Sequence, residues 1–292
     1  MKKSLVMTLT AAFLLVTIAG CAGKQQGADV NGASGPINVI SREDGSGTRG
    51  AFVELFGIEE KGADGKKMDM TIDSAEITNN TSVMMTTVAG DPSAIGYLSL
   101  GSLNASVKAL KIDGVAPSAE SVKDGNYAIS RPFNIATKGE LSPVAKDFMA
   151  FILSKEGQDV VEKKGYIRVD DTGAYNGSKP SGKVVVGGSS SVTPVMEALS
   201  EAYKAINPDA EIIIQATDST TGMNSVLEGI CEIGMASRDL KDSERSAGLS
   251  PTVIALDGIV VAVNVDNPLE GLTRDQVKEI YTGVLTDWAE VK

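Results

Sequence analysis

Three times in this sequence a short β-branched run passes into a turn rich in glycine, serine and threonine, and that turn opens an apolar-periodic segment. Residues 37–40 precede Gly45-Ser46-Gly47-Thr48, residues 184–186 precede Gly188-Ser189-Ser190-Ser191, and residues 211–215 precede Asp218-Ser219-Thr220-Thr221-Gly222. Strands that feed helices through such short turns pack in alternating layers, so the chain reads as α/β. Further strands are expected at 95–98, 253–256 and 259–265. Apolar spacings of three and four give one helix face through Phe52, Leu55 and Phe56. A second runs through Val195, Met196, Leu199, Tyr203 and Ile206, and a third through Met223, Val226, Leu227 and Ile230. Ser142-Pro143 reads as a cap and first turn ahead of Val144, Phe148 and Ile152. Thr273 and Gln276 have capping-box spacing ahead of Val277 and Ile280. Residues 166–183 are polar with Gly and Pro, and read as a linker.

The repeated unit also carries chemistry. The first turn of a helix presents unpaired N–H groups and the positive end of the macrodipole. Glycine lets a ligand approach the backbone, and Ser or Thr adds a hydroxyl that can donate. Such a turn is an anion cradle, although Ser and Thr are equally ordinary caps. Three of them suit a small tetrahedral oxyanion. Arg42, three residues before Gly45, supplies a guanidinium fork that matches a pair of oxyanion oxygens. Asp44 is positioned to hold that fork, or to form a plain surface ion pair. Gly45 to Gly50 also fits G-x-G-x-x-G, but Ser41 to Asp44 separates the strand from the first glycine, and no second strand ends in an acid about twenty residues on.

Residues 1–21 read as a targeting segment. Lys2 and Lys3 precede an apolar run, 5–18, that is short for a membrane span, and Ile18-Ala19-Gly20-Cys21 places small residues before a cysteine. The pattern predicts a lipoprotein signal peptide, acylation (palmitate) at Cys21, and a flexible Gly/Ala/Ser/Gln-rich tether over 22–35. Beyond that segment 25 Lys and Arg face 38 Asp and Glu, a net charge of −13 that disfavours nucleic acid and anionic lipid. Cys231 is the other cysteine and reads as a small buried hydrophobe. Histidine is absent, which excludes Ser-His-Asp triads, Cys-His pairs and His-ligated metals. No cofactor and no metal is expected.

The segment 41–52, Ser-Arg-Glu-Asp-Gly-Ser-Gly-Thr-Arg-Gly-Ala-Phe, resembles the signature loop of PstS-type phosphate-binding proteins of ABC importers. Residues 188–194 resemble their first phosphate loop, 218–222 the second, and 233–238 the segment after it; 94–97 and the stretch from Leu272 to Trp288 are also similar. The resemblance implies a two-lobed, type II periplasmic-binding-protein-like fold, with a ligand cleft between lobes and a two-segment hinge at 127–137 and 257–265. One lobe would be continuous, 129–263, and the other discontinuous, 36–128 and 264–292. The implied ligands of inorganic phosphate are Arg42, Ser46, Gly47, Thr48, Ser190, Ser191, the Val192 N–H and Ser219, with Asp44 in support. Ser237 stands where some family members carry an aspartate that accepts the proton of phosphate. Asp257 is then the candidate acceptor, with a turn aspartate beside Gly258 as the alternative. The motif order differs from the family's usual one, as in a circular permutation with Gly35 and Lys292 beside the new opening. The resemblance implies a monomeric, non-enzymatic receptor, lipid-anchored on the extracytoplasmic face and delivering phosphate to an importer permease. Receptors for sulfate or molybdate, and a phosphatase-like enzyme, are the competing readings.

Overall fold

The computed structural model describes residues 34–62, 65 and 67–291, which belong to one compact unit. The expected signal segment, Cys21 and residues 22–33 of the tether lie outside the described residues, as does Lys292.

The first stretch forms β1 (Asn38–Arg42), α1 (Gly47–Leu55), β2 (Glu59–Lys61), β3 (Lys67–Asp69), β4 (Glu76–Thr78), α2 (Thr81–Gly90) and β5 (Ala94–Ser99). Then come β6 (Val107–Ala109), β7 (Lys111–Ile112), α3 (Ala119–Lys123), β8 (Ser130–Thr137), α4 (Pro143–Leu153) and α5 (Lys155–Lys163). The rest comprises β9 (Gly182–Ser189), α6 (Thr193–Ile206), β10 (Ala210–Thr217), α7 (Ser219–Leu227), β11 (Ile233–Ala236), α8 (Asp242–Ser246), β12 (Ser250–Asn264), β13 (Gly271–Leu272) and α9 (Arg274–Tyr281).

The main sheet runs β10-β9-β11-β8-β12-β5-β1-β4, with β6 also on β12. Two parallel triplets, β10-β9-β11 and β5-β1-β4, flank the antiparallel pair β8 and β12. Parallel neighbours need long crossovers, which here are the helices that follow β1, β4, β9 and β10. The strands expected at 253–256 and 259–265 are one 15-residue element, β12. Its residues 250–258 pair with β8, and 259–263 pair with β5. The exchange therefore falls between Gly258 and Ile259, ahead of the boundary expected at 263.

The apolar clusters follow the same division. One gathers Phe52, Tyr97, Tyr127, Val261, Ile280 and Trp288, with Phe52 stacked on Tyr97 at 3.9 Å. Another gathers Phe133, Phe148, Val186, Leu199, Ile233 and Ile254. Both expected caps form: the Ser142 side chain accepts from the Ala145 N–H, and Thr273 and Gln276 make a capping box. Ile230, expected on the buried face of α7, lies past its end and is 59% exposed.

The 166–183 linker is pinned rather than loose. Asp147 on α4 accepts from the Tyr175 and Tyr203 hydroxyls and from the Ser178 N–H, and these donors, outweighing burial, hold its carboxyl below the ordinary range. Near the two ends, the Trp288 N–H donates to the Gly35 carbonyl at 2.9 Å, and Pro36 and Asp287 form an antiparallel bridge. That adjacency is what the reordered motifs require.

Candidate functional site

Each expected loop enters the site at a helix start. β1 ends at Arg42, and α1 begins at Gly47 with Ser46 as its cap, the Ser46 hydroxyl accepting from the Arg49 N–H. β9 ends at Ser189, and α6 begins at Thr193 without any side-chain cap. β10 runs into α7, capped by Asp218. A fourth helix start, not foreseen from the sequence, is α2: Asn80 caps it and Thr81 is its first residue. Four positive helix ends thus converge on one region.

The side chains there are buried and bonded to one another across long sequence separations. Thr48 Oγ1 lies 2.8 Å from Ser191 Oγ, and Thr81 Oγ1 lies 3.1 Å from Ser191 and 3.3 Å from Ser190. Ser189 donates to Ser237 at 2.9 Å, and the Ser219 hydroxyl accepts from the Ser237 N–H at 3.1 Å. The Arg42 guanidinium reaches Ser190 at 3.2 Å and Thr81 at 3.4 Å. Arg42, Thr48, Ser191, Ser219 and Ser237 are each at most 1% exposed. Beside them a cleft of about 580 Å³ is lined by Glu43, Asn79, Asn80, Ser190, Thr193 and Asp218, among others.

Glycine is required where the loops meet. A Cβ on Gly47 would meet Ser219 Oγ at 2.4 Å and Ser237 Oγ at 2.8 Å, and one on Gly45 would meet Asp218 Oδ1 at 2.2 Å. The Thr220 N–H donates to the Gly45 carbonyl at 3.2 Å, tying the α1 loop to the α7 loop through the backbone.

Three sequence expectations change. Glu43, not Asp44, holds Arg42: its two oxygens take Nε and Nη2 at 2.7 Å each. Asp44 points outward, with its side chain 97% exposed, and pairs with Arg49 at 2.9 Å. Arg49 in turn donates to the Arg42 carbonyl at 2.8 Å, which stiffens the loop. Asp257 stands apart from the hydroxyl cluster. It is buried on β12 opposite Arg131 of β8, 3.2 Å away, and accepts from Ser99 and the Gly101 N–H. Burial outweighs these partners and raises its carboxyl to about 6, and burial also lowers the Arg131 guanidinium. The Val192 N–H, expected to face a ligand, donates instead to the Ser189 carbonyl at 3.0 Å. Arg42, Gly47, Thr48, Ser190, Ser191, Ser219 and Ser237 fall in or against the cluster, whereas the Ser46 hydroxyl caps α1. Glu43, Thr81 and Ser189 are additions.

Among the described residues no group of His, Cys, Asp and Glu could hold a metal, and no helix is long and apolar enough to cross a membrane. Two α/β lobes joined by β8 and β12, with a buried hydroxyl-and-guanidinium cluster fed from both, define a type II periplasmic-binding-protein-like receptor. A family model described as a PBP superfamily domain matches residues 22–156 and 173–292. The chain is 53% identical to the phosphate-binding protein PstS 2 of Streptococcus agalactiae serotype V, covering 100% of this chain and 99% of that one. It is 45% identical to the phosphate-binding protein PstS 2 of Streptococcus pneumoniae serotype 4 over the full length of both. The crystal structure of a phosphate ABC transporter phosphate-binding protein from Streptococcus pneumoniae TIGR4 superposes with a TM-score of 0.69 at 46% identity, covering 88% of this chain and 100% of that one. The chain belongs to the PBP superfamily and, within it, to the PstS phosphate-binding proteins.

Proposed function

We propose that this chain captures inorganic phosphate between its lobes and delivers it to the permease of an ABC importer. The carrying observation is the convergence of Arg42, Thr48, Thr81, Ser190, Ser191, Ser219 and Ser237 at four helix starts. Hydroxyls and helix-start amides can surround a tetrahedral anion without bringing net charge, and each charge-assisted hydrogen bond from Arg42 contributes about 1.5–3 kcal/mol. The names of its relatives support phosphate as the anion. The site ligands in this reading are Arg42, Ser46, Gly47, Thr48, Thr81, Ser190, Ser191, Ser219 and Ser237.

The discontinuous lobe comprises 36–128 and the end of the chain from Ile259, the continuous one 130–258, so that β8 and β12 form the hinge. Binding favours the closed arrangement only as far as the anion contacts it better than the open one. The Cys21 lipobox supports an acylated anchor on the extracytoplasmic face. No bond is broken in this scheme, so the chain acts as a receptor and not an enzyme. Titration calorimetry of the purified chain with phosphate, sulfate and molybdate tests the reading. Stoichiometric, preferential phosphate binding is expected; preference for another oxyanion, or phosphate-ester turnover without tight binding, would reject it.

A further inference from the structure

We propose that Glu43 is the specificity-determining acceptor of the site, taking a hydrogen bond from a protonated oxyanion and so excluding one that has no proton to give. The inference rests on the oxyanion-binding reading above and names the residue that sets its selectivity.

The cluster is otherwise undiscriminating. Each Ser or Thr hydroxyl can rotate to donate or accept, so Thr48, Thr81, Ser190, Ser191, Ser219 and Ser237 accommodate a protonated or a bare anion oxygen alike. The Arg42 guanidinium and the helix-start amides only donate. Discrimination needs an obligate acceptor. Among the described residues one carboxylate is bonded to a member of the cluster, and it is Glu43. Asp257 is committed to Arg131, Ser99 and Gly101, and Asp44 faces outward. The other two carboxylates that line the cleft, Asp218 and Glu197, are bonded to no member of the cluster among the described residues, Asp218 taking its donors from Thr221.

Glu43 is built for the role. Its side chain is 21% exposed and shares the wall of the cleft with Ser190, one of the hydroxyls that Arg42 reaches. Arg42 occupies one position on each carboxylate oxygen, while an ionised carboxylate offers about four lone-pair sites. The remaining lone pairs are free for a second donor, and the fork fixes the plane in which they point. Phosphate keeps at least one proton at neutral pH and can satisfy Glu43 in any rotational setting. Sulfate cannot, and it sets an oxygen lone pair against a carboxylate that cannot donate. Sites that hydrogen-bond a ligand group reject analogues lacking it by factors of up to about 10⁴–10⁵. Partial exposure of Glu43 lowers the factor expected here to at least tenfold.

The test measures binding of phosphate, arsenate and sulfate to the full chain by calorimetry, for the unaltered protein, Glu43→Gln and Arg42→Lys, with thermal melting to establish that each folds. Arsenate, protonated like phosphate, should follow phosphate, and sulfate should bind at least tenfold more weakly. Glu43→Gln should collapse the phosphate-to-sulfate ratio at least tenfold, because its amide nitrogen donates to bare oxygens. Arg42→Lys should weaken all three anions while leaving the ratio in place. An unchanged ratio in Glu43→Gln overturns the proposal and leaves phosphate binding standing. So does a folded Glu43→Gln that binds no anion, since Glu43 would then act only by holding Arg42. Failure of the unaltered chain to bind phosphate would instead reject the underlying reading.

Discussion

Thr48 Oγ1 and Ser191 Oγ lie 2.8 Å apart although 143 positions separate them in the chain. Thr48 belongs to the first turn of α1 and Ser191 to the turn entering α6, so this bond spans the two lobes directly. Ser191→Ala removes a hydroxyl that also meets Thr81 at 3.1 Å. It should weaken phosphate binding by about 1–2 kcal/mol, roughly five- to thirty-fold, with little change in melting temperature. Calorimetry beside a melting curve checks both halves of that expectation.

Gly47 separates folding from binding. Alanine is a better helix residue than glycine by about 1 kcal/mol, and α1 starts at this position. A Cβ there nevertheless runs into Ser219 and Ser237. Gly47→Ala should therefore melt at the same temperature or higher and lose more than tenfold in phosphate affinity. A loss of both properties would mean that the glycine serves the fold and not the meeting of the loops.

Asp257 tests whether a buried pair at the hinge has any part in recognition. Asp257→Asn strands Arg131, whose Nε and Nη1 already lack partners among the described residues, and should cost about 3–5 kcal/mol. The phosphate-to-sulfate ratio should not move. The pH dependence has a definite sign. The folded-state carboxyl is raised to about 6 from an ordinary 3.8, so between those values the folded chain holds a proton that the unfolded chain has released. Its contribution is complete below pH 4 and is lost as pH rises toward 6. Chemical denaturation at several pH values should show that slope, and Asp257→Asn should abolish it.

Asp147 should behave in the opposite sense. Its carboxyl is held low by the Tyr175 and Tyr203 hydroxyls and the Ser178 N–H, so its contribution is present above the ordinary carboxylate range and lost as pH falls. Tyr175→Phe removes one donor and loosens 166–183. A loss of about 1–2 kcal/mol with unchanged phosphate affinity is expected from denaturation and calorimetry. Impaired binding would show that the clamp bears on the cleft.

The three cradles were legible because a strand, a small-residue turn and a helix leave a local signature that needs no tertiary information. α2 lacks that signature, because β4 spans only Glu76–Thr78 and its turn, Asn79-Asn80, has neither Gly nor Ser. Glu43 likewise carries no local signature of its role. Alternation along an extended strand puts neighbours on opposite faces, so Arg42 and Glu43 do not read as partners. β1 ends at Arg42, the alternation stops there, and the adjacent carboxylate folds back onto the guanidinium. Asp257 beside Gly258 looks like a turn in sequence. Its place inside a 15-residue strand depends on β8 and β5 both being present to pair with it, and no window of sequence contains them.

That long strand has a mechanical consequence. Residues 250–258 and 259–264 share one uninterrupted backbone yet are hydrogen-bonded into different halves of the sheet. Neither half can melt without fraying a strand on which the other depends. Heat or denaturant should accordingly dismantle both halves in a single cooperative step, and strain applied to one half should be transmitted through Gly258 and Ile259 as a twist of the strand, not as a sliding of one half past the other.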